Sequence, residues 1–242
     1  MSNTLRPKTL LFSEEQVPKI IDQAIQVLGQ VGVFVENEEA LALLDGAGQR
    51  IDNGRAFLTE AAIRNAVDSA PSQIRLYDRD GNLAVDMSGD NVHFDPGSAA
   101  IHILDPQTRR RREPMTADAI HLAWVTQACK NISAQSTGLV PSDVDGDFAD
   151  RFRLYLALSN CSKPVVTGTF VTEAFKVMKD MLVAVRGSEQ ALREKPLAIF
   201  DAAPTPPLKW SNLIAQALVD SAKAGIPAEM VSMPMTGATS PV

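Results

Sequence analysis

Four short apolar runs punctuate the second half of the chain. They begin at Ile132 (ISAQSTG), Pro164 (PVVTGTF), Leu197 (LAIFDAA) and Ala228 (AEMVSMP), 32, 33 and 31 residues apart. Each is short enough for a buried strand and runs out into small or polar residues. Between them apolar positions recur at helical spacing: Phe148, Phe152, Tyr155 and Leu156; then Ala174, Val177, Met178, Met181, Leu182 and Val185; then Ile214, Ala217, Leu218 and Ser221. A strand, a helix and a parallel strand in about 30 residues make a right-handed βαβ unit. Consecutive units of this kind build either a doubly wound sheet or a closed (β/α)8 barrel, and periodicity does not choose. The strand ends favour the barrel, because each closes in a turn-forming cluster: Gln135 to Gly138, Thr167 to Phe170, Asp201 to Pro204, and Met233 to Thr239. In a barrel such ends converge on one face. No GxGxxG or GxxxxGK[ST] follows a strand, which removes the common nucleotide-binding loops.

The first half reads differently. Ser13 and Gln16 open an amphipathic helix to Gly32, with Val17, Ile20, Ala24, Leu28 and Val31 on one face. Asn37 caps a second helix carrying Ala40, Leu41 and Leu44, and Thr59 opens a third with Ile63, Ala66 and Val67 inward, so three helices are expected before the first strand. From Gln73 the period alternates. Asp80 and Gly81 separate two strand-like runs, and NVHFDPGSAAIHILDPQTRRRREP reads as two more, turning at Asp95 to Gly97 and at Asp105 to Thr108. Thr116 then opens a helix with Ile120, Ala123 and Trp124, and a boundary is expected near residue 115. The predicted fold is α/β: the first half of a TIM (β/α)8 barrel over 116–242, preceded by an α+β extension over 1–115. A complete barrel needs roughly 250 residues, so the sequence reads as part of a longer protein whose open sheet edges call for a homo-oligomer.

Composition narrows the function. With 242 residues, 45% of them hydrophobic, the chain buries a sizeable core. A net charge of -6 and a pI near 5.1 argue against a nucleic-acid partner. The basic run Arg109 to Arg112 reads as a solvated turn. No apolar run is long enough to span a bilayer and no signal-peptide pattern opens the chain, so a cytoplasmic protein is expected. Cys129 and Cys161, without CxxC spacing, read as buried thiols. His93, His102 and His121 lack metal-ligand spacing, so no metal site is expected and no catalytic triad is visible.

The segments QVLGQVGVFVENEEALALLDGAGQRID, SAPSQIRLYDRDG, NVHFDPGSAAIHILDPQT, RRREPMTADAIHLA, KPVVTGTF, REKPLAIFDAAPTPPLKW and AGIPAEMVSMPMTGATSPV together resemble the N-terminal half of the trimethylamine methyltransferase family (MttB-like). The resemblance implies a TIM barrel with an N-terminal extension. It also implies methyl transfer from a small methylated amine to the cobalt of a corrinoid carried on a separate protein. Members with and without pyrrolysine occur, those without it being associated with quaternary amines such as glycine betaine; the pyrrolysine position lies beyond Val242. Asp95 and Ser98 stand where the family pattern has glycines, and Arg109 stands in place of a hairpin glycine.

A quaternary ammonium wants aromatic faces or carboxylates. The candidates near strand ends are Asp201, Phe200, Phe170 and Phe94, with His93 at the mouth. Each has a plainer reading: Asp201 as a turn cap, Phe200 and Phe170 as packing, Phe94 as part of the antiparallel layer, His93 as a hydrogen-bonding residue. Gly237 and Thr239 would bring backbone and hydroxyl groups to the fourth strand's mouth, where substrate or corrinoid approaches, or would form a tight turn with a cap. Catalytic residues are not assigned. Two other readings stay open: a non-catalytic half-barrel acting as an interaction module, and a different TIM-barrel enzyme.

Overall fold

A computed structural model describes residues 9–233, 235–238 and 240. In chain order the elements are α1 (Gln16–Gln30), β1 (Val33–Val35), α2 (Glu38–Gly46), β2 (Arg50–Asp52), β3 (Arg55–Phe57), α3 (Glu60–Ser69), β4 (Arg75–Tyr77), β5 (Leu83–Asp86), β6 (Ile103–Leu104) and β7 (Arg111–Arg112). There follow α4 (Thr116–Ala128), β8 (Gln135–Ser136), α5 (Ala149–Asn160), β9 (Val165–Thr167), α6 (Ala174–Arg186), α7 (Glu189–Glu194), β10 (Ala198–Ala202), β11 (Lys209–Trp210), α8 (Asn212–Ala224) and β12 (Ala228–Met230). The protein is a mixed α/β structure with a parallel sheet. None of the described helices is long and apolar enough to cross a membrane.

The four apolar runs form that sheet, in the order β12-β10-β9-β8 with every pairing parallel. Strand alternation divides its side chains between two environments. Val165, Ala198 and Phe200 point toward the helices and pack with Leu154, Phe175, Met178 and Leu182. Val166 and Ile199 point the other way, against Leu76 and Val85 of the β4–β5 hairpin. That hairpin bonds to the chain just ahead of β9 and β10: Tyr77 donates to the Pro196 carbonyl at 2.8 Å and Arg79 to the Ser162 carbonyl at 2.7 Å. It therefore closes the end of the sheet where the strands begin, and leaves the end where they finish open.

The N-terminal layer departs from the expected three helices. Strands β1, β2 and β3 lie among them, in a sheet ordered β11-β1-β3-β2. The β2–β3 turn is Asn53-Gly54, both at positive φ (50° and 76°), the conformation that a two-residue hairpin demands. Strands of three residues leave almost no alternation to read, which is why the helical signal dominated. Asn37 and Thr59 do cap α2 and α3, accepting the Ala40 and Ala62 amides. Val67 and Trp124, expected inward, are exposed, as is Cys129; Cys161 is buried. On α4 the inward positions are Ala123 and Thr126.

NVHFDPG is not a regular strand. Residues 94–100 instead run irregularly beside β8, with Ser133 bonded to the Phe94 carbonyl at 2.9 Å and Ala100 to the Gly138 carbonyl at 2.9 Å. The second predicted turn is present between β6 and β7, where Asp105 accepts the Gln107 and Thr108 amides. Arg109 sits there at φ 57°, a conformation natural to the glycine it replaces. Of the basic run only Arg111–Arg112 form a strand; Arg109 to Arg111 are exposed, as expected of a solvated turn, whereas Arg112 is held by Asp105 at 2.8 Å and by both oxygens of Asp118 at 2.7 and 2.8 Å.

Elements past residue 115 return to the N-terminal layer. β11 pairs in parallel with β1, Phe34 opposite Lys209 and Val35 opposite Trp210. The buried Asn37 amide donates to Asn212 at 2.8 Å and to Gln216 at 2.9 Å, joining α2 to α8.

Candidate active site

The open end of the parallel sheet is polar where its body is apolar. On β10 the residue after Phe200 is Asp201, on the opposite face, directly across from Glu229 of β12. One Asp201 carboxyl oxygen is buried without a hydrogen-bond partner. Burial pushes the Asp201 carboxyl up to about 8, helped by its hydrogen bond to Glu229 and by the negative charges of Glu229 and Asp95, while the positive charge of Arg153 opposes the rise. Carboxyls perturbed in this way cluster at functional sites, which makes Asp201 a candidate. An arriving cation would favour its ionised form.

Beside this group lies a cavity of about 130 Å³ between the sheet, the β4–β5 hairpin and residues 93–95. Val166, Ile199, Leu76 and Val85 form its apolar floor, and His93, Phe94, Asp95 and Glu229 complete the wall. His93 is an anchor: one ring nitrogen meets Ser133 Oγ at 3.2 Å and the other the Asp86 carbonyl at 3.0 Å. Phe94, expected to pack in an antiparallel layer, is 61% exposed and presents its ring to the cavity rim. Asp95 accepts the Gly97 amide at 2.7 Å, and the Ser136 hydroxyl donates to the Gly97 carbonyl, so two short bonds hold this mouth segment to itself and to β8.

A second polar group sits on the helix side of the same strand ends. Arg153 of α5 is only 3% exposed. Its Nη2 donates to the carbonyl and, at 3.0 Å, the hydroxyl of Thr137, which lies 3.2 Å from the Thr167 hydroxyl. Its guanidinium carbon is 4.6 Å from the centre of the Phe170 ring. Asp150, one turn earlier and 1% exposed, accepts the Phe170 amide at 2.7 Å and so fixes the loop that carries the ring.

Of the candidates read from sequence, Phe94 and His93 line one cavity, and Asp201 stands beside it, across from the lining residue Glu229. Phe170 lies apart from that cavity, on the helix side, with one ring face turned to the Arg153 guanidinium. Phe200 does not belong with them: it is buried with its ring 4.7 Å from that of Phe175, on the far side of the sheet from Asp201. The strand alternates, so an aromatic and a carboxylate one residue apart cannot share a pocket. Gly237 lies in an exposed turn at φ 74°, donating to the Ser240 carbonyl at 2.9 Å. Thr239 lies outside the described residues. The sequence reading passed over Glu229, Arg153 and Asp150. Arg153 had a signal: it falls on the inward stripe of α5 with Ala149, Leu156 and Ala157, where a charge is out of place. Among the described residues no group of three or more His, Cys, Asp and Glu side chains is arranged to hold a metal ion.

The family model described as trimethylamine methyltransferase (MTTB) matches residues 2–242. The trimethylamine methyltransferase MttB of Desulfitobacterium hafniense (strain DSM 10664 / DCB-2) is 30% identical over 233 residues, covering 96% of this chain and 47% of that protein. The glycine betaine methyltransferase of Desulfitobacterium hafniense (strain Y51) is 27% identical over 238 residues, covering 98% and 50%. The trimethylamine methyltransferase MttB of Methanosarcina thermophila is 28% identical over 242 residues, covering 96% and 50%. The chain thus spans about half the length of the curated relatives it matches, and it belongs to the trimethylamine methyltransferase family.

Proposed function

We propose that this chain supplies the amine-binding wall of a methyltransferase that moves a methyl group from a small methylated, quaternary amine to a corrinoid carried on a separate protein. The observation that carries the reading is the gathering of Asp201, Glu229 and Asp95 beside a cavity that Phe94 also lines, since carboxylates and an aromatic face are what a methylated ammonium seeks. In this reading residues 116–242 are the first half of a (β/α)8 barrel and residues 1–115 an extension that caps its base. The strand order supports it: β8, β9, β10 and β12 are neighbours in sequence order without the reversal that a doubly wound sheet requires.

A quaternary ammonium already carries the charge of its leaving group, so when the carbon–nitrogen bond breaks its electron pair stays on nitrogen and a neutral tertiary amine departs. No acid is needed. The residues of this chain would instead hold the nitrogen: Asp201 and Glu229 by charge, Phe94 by its ring, and the apolar floor by excluding water. A corrinoid bound beside the mouth supplies the cobalt that accepts the methyl group. The exposed turn at Gly237, where the backbone lies open on the mouth side of β12, suits the approach of a flat macrocycle.

The direct test mixes the protein with a cobalt(I) corrinoid protein and a panel of methylated amines and follows the absorbance of methylated corrinoid. Asp201→Ala is expected to weaken amine binding about tenfold or more. If no amine in the panel yields methylated corrinoid or raises the thermal midpoint, the reading fails.

A further inference from the structure

We infer that α1 pairs with the α1 of a second copy of this chain, antiparallel, about a two-fold axis that passes through Ala24. The helix is amphipathic, yet it rests on the protein by only one edge of its apolar face. Ile25 is buried, the Leu28 carbonyl accepts the Leu58 amide at 3.1 Å, and Asp22 pairs with Arg64 of α3 at 3.1 Å. The centre of the face looks outward: Val17, Ile20, Ile21, Val27 and Val31 are each 40–50% exposed, and Ala24 is exposed with them. A continuous apolar stripe of this kind marks a surface that something covers.

The spacing says what covers it. Around Ala24 the apolar positions are symmetric: Ile21 and Val27 stand three residues away on either side, Ile20 and Leu28 four, Val17 and Val31 seven. Steps of three and four are those of a coiled-coil seam. A seam that reads the same in both directions complements itself under a two-fold axis. Val17 of one copy then meets Val31 of the other, Ile20 meets Leu28, Ile21 meets Val27, and the small Ala24 meets itself on the axis, where the two backbones come closest. Charge agrees with this direction. Glu14 and Glu15 stand exposed at the N-terminal end of the helix. At its C-terminal end Arg55 donates to the Gly32 carbonyl at 3.0 Å, and Arg50 shares a groove with Gly29 and Gln30. Antiparallel pairing sets the acidic end of each helix against the basic end of the other and opposes the two helix dipoles, whereas a parallel pair would stack Glu14 and Glu15 on their own copies. A specific interface buries roughly 800 Å² on each partner, more than two heptads of helix supply. Leu10, Leu11 and Phe12, all exposed just ahead of the helix, extend the apolar surface in the required direction.

The test combines sedimentation equilibrium with cysteine cross-linking, and needs neither amine nor corrinoid. Wild type is expected to sediment at twice its 26.1 kDa monomer mass at micromolar concentration. Ile20→Glu buries one charge from each copy in the seam and is expected to raise the dimer dissociation constant about a hundredfold, with circular dichroism unchanged because the side chain is exposed in the monomer. Cross-linking uses a Cys129→Ser background, since Cys129 is itself exposed. Ala24→Cys is expected to form a disulfide-linked dimer under mild oxidation, and Val17→Cys to cross-link when mixed with Val31→Cys but not with itself. A chain that stays monomeric at every concentration overturns the inference, and so does one that stays monomeric but floats with phosphatidylcholine and phosphatidylserine vesicles, which would make the stripe a membrane-surface helix. A dimer indifferent to Ile20→Glu would lie on another face, and self-linking of Val17→Cys would mean parallel helices; either result is equally fatal. If Ile20→Glu does not fold, the three cysteine variants decide alone.

Discussion

The two faces of the parallel sheet are built from the same four strands and do opposite work. Toward the helices, Phe200, Val165 and Ala198 pack with Phe175, Met178 and Leu182, and the Thr137 and Thr167 hydroxyls face one another at 3.2 Å. Toward the hairpin, Ile199 gives way two residues on to Asp201, which faces Glu229 across the strands and keeps one oxygen buried and unpaired. The difference teaches that stability and function are divided by alternation within each strand rather than between segments of the chain. On β10, positions 200 and 201 belong to different properties of the protein.

The sharpest way to break this comparison is at its apolar face. Phe200→Ala removes a fully buried ring and is expected to cost about 3–5 kcal/mol of stability in urea unfolding. A loss below about 1 kcal/mol would mean that the ring is not the core residue the packing describes. At Asp201 the expected effect is smaller and depends on pH. Its carboxyl is raised in the folded protein, so between about 4 and about 8 the folded state holds a proton that the unfolded chain has released. Stability should therefore fall as pH rises through that window. Asp201→Asn should flatten the fall, matching wild type near pH 4 and exceeding it near pH 8.5. Parallel curves for the two proteins would refute the assignment. Least of all should Phe94→Ala disturb the fold: a change within about 0.5 kcal/mol is expected for so exposed a ring, together with a several-fold loss of affinity for a methylated ammonium. Equal affinity would remove Phe94 from the site.

The strand-helix rhythm of the second half was legible because each βαβ unit is long, buried on both sides and repeated. The N-terminal strands were not, although IDNGRAF held an Asn-Gly turn between β2 and β3; six residues of sheet cannot outweigh three flanking helical patterns. At the site, Asp201 could be found because a carboxylate follows an apolar run. Its partner Glu229 was hidden in the short segment AEM, and only the register Asp201 to Glu229 across β10 and β12 reveals the pair. Phe200 was misplaced for a related reason, since proximity in sequence was taken for proximity in space where a strand turns neighbours apart. Arg153 called for knowing which face of α5 is covered, and helical spacing suggests that only when the stripe is followed through the charge.

The return of β11 to β1 has a mechanical consequence. Seven residues after Ala202 the chain is clamped to Phe34 and Val35, and Asn37 grips α8 a few residues further on. The carboxylate at Asp201 is thus moored at its downstream end to the oldest part of the sequence by chain order. A shortened version starting at Thr116 would keep every strand of the parallel sheet yet cut that mooring, baring Trp210 and letting the rim drift from the pocket it shapes.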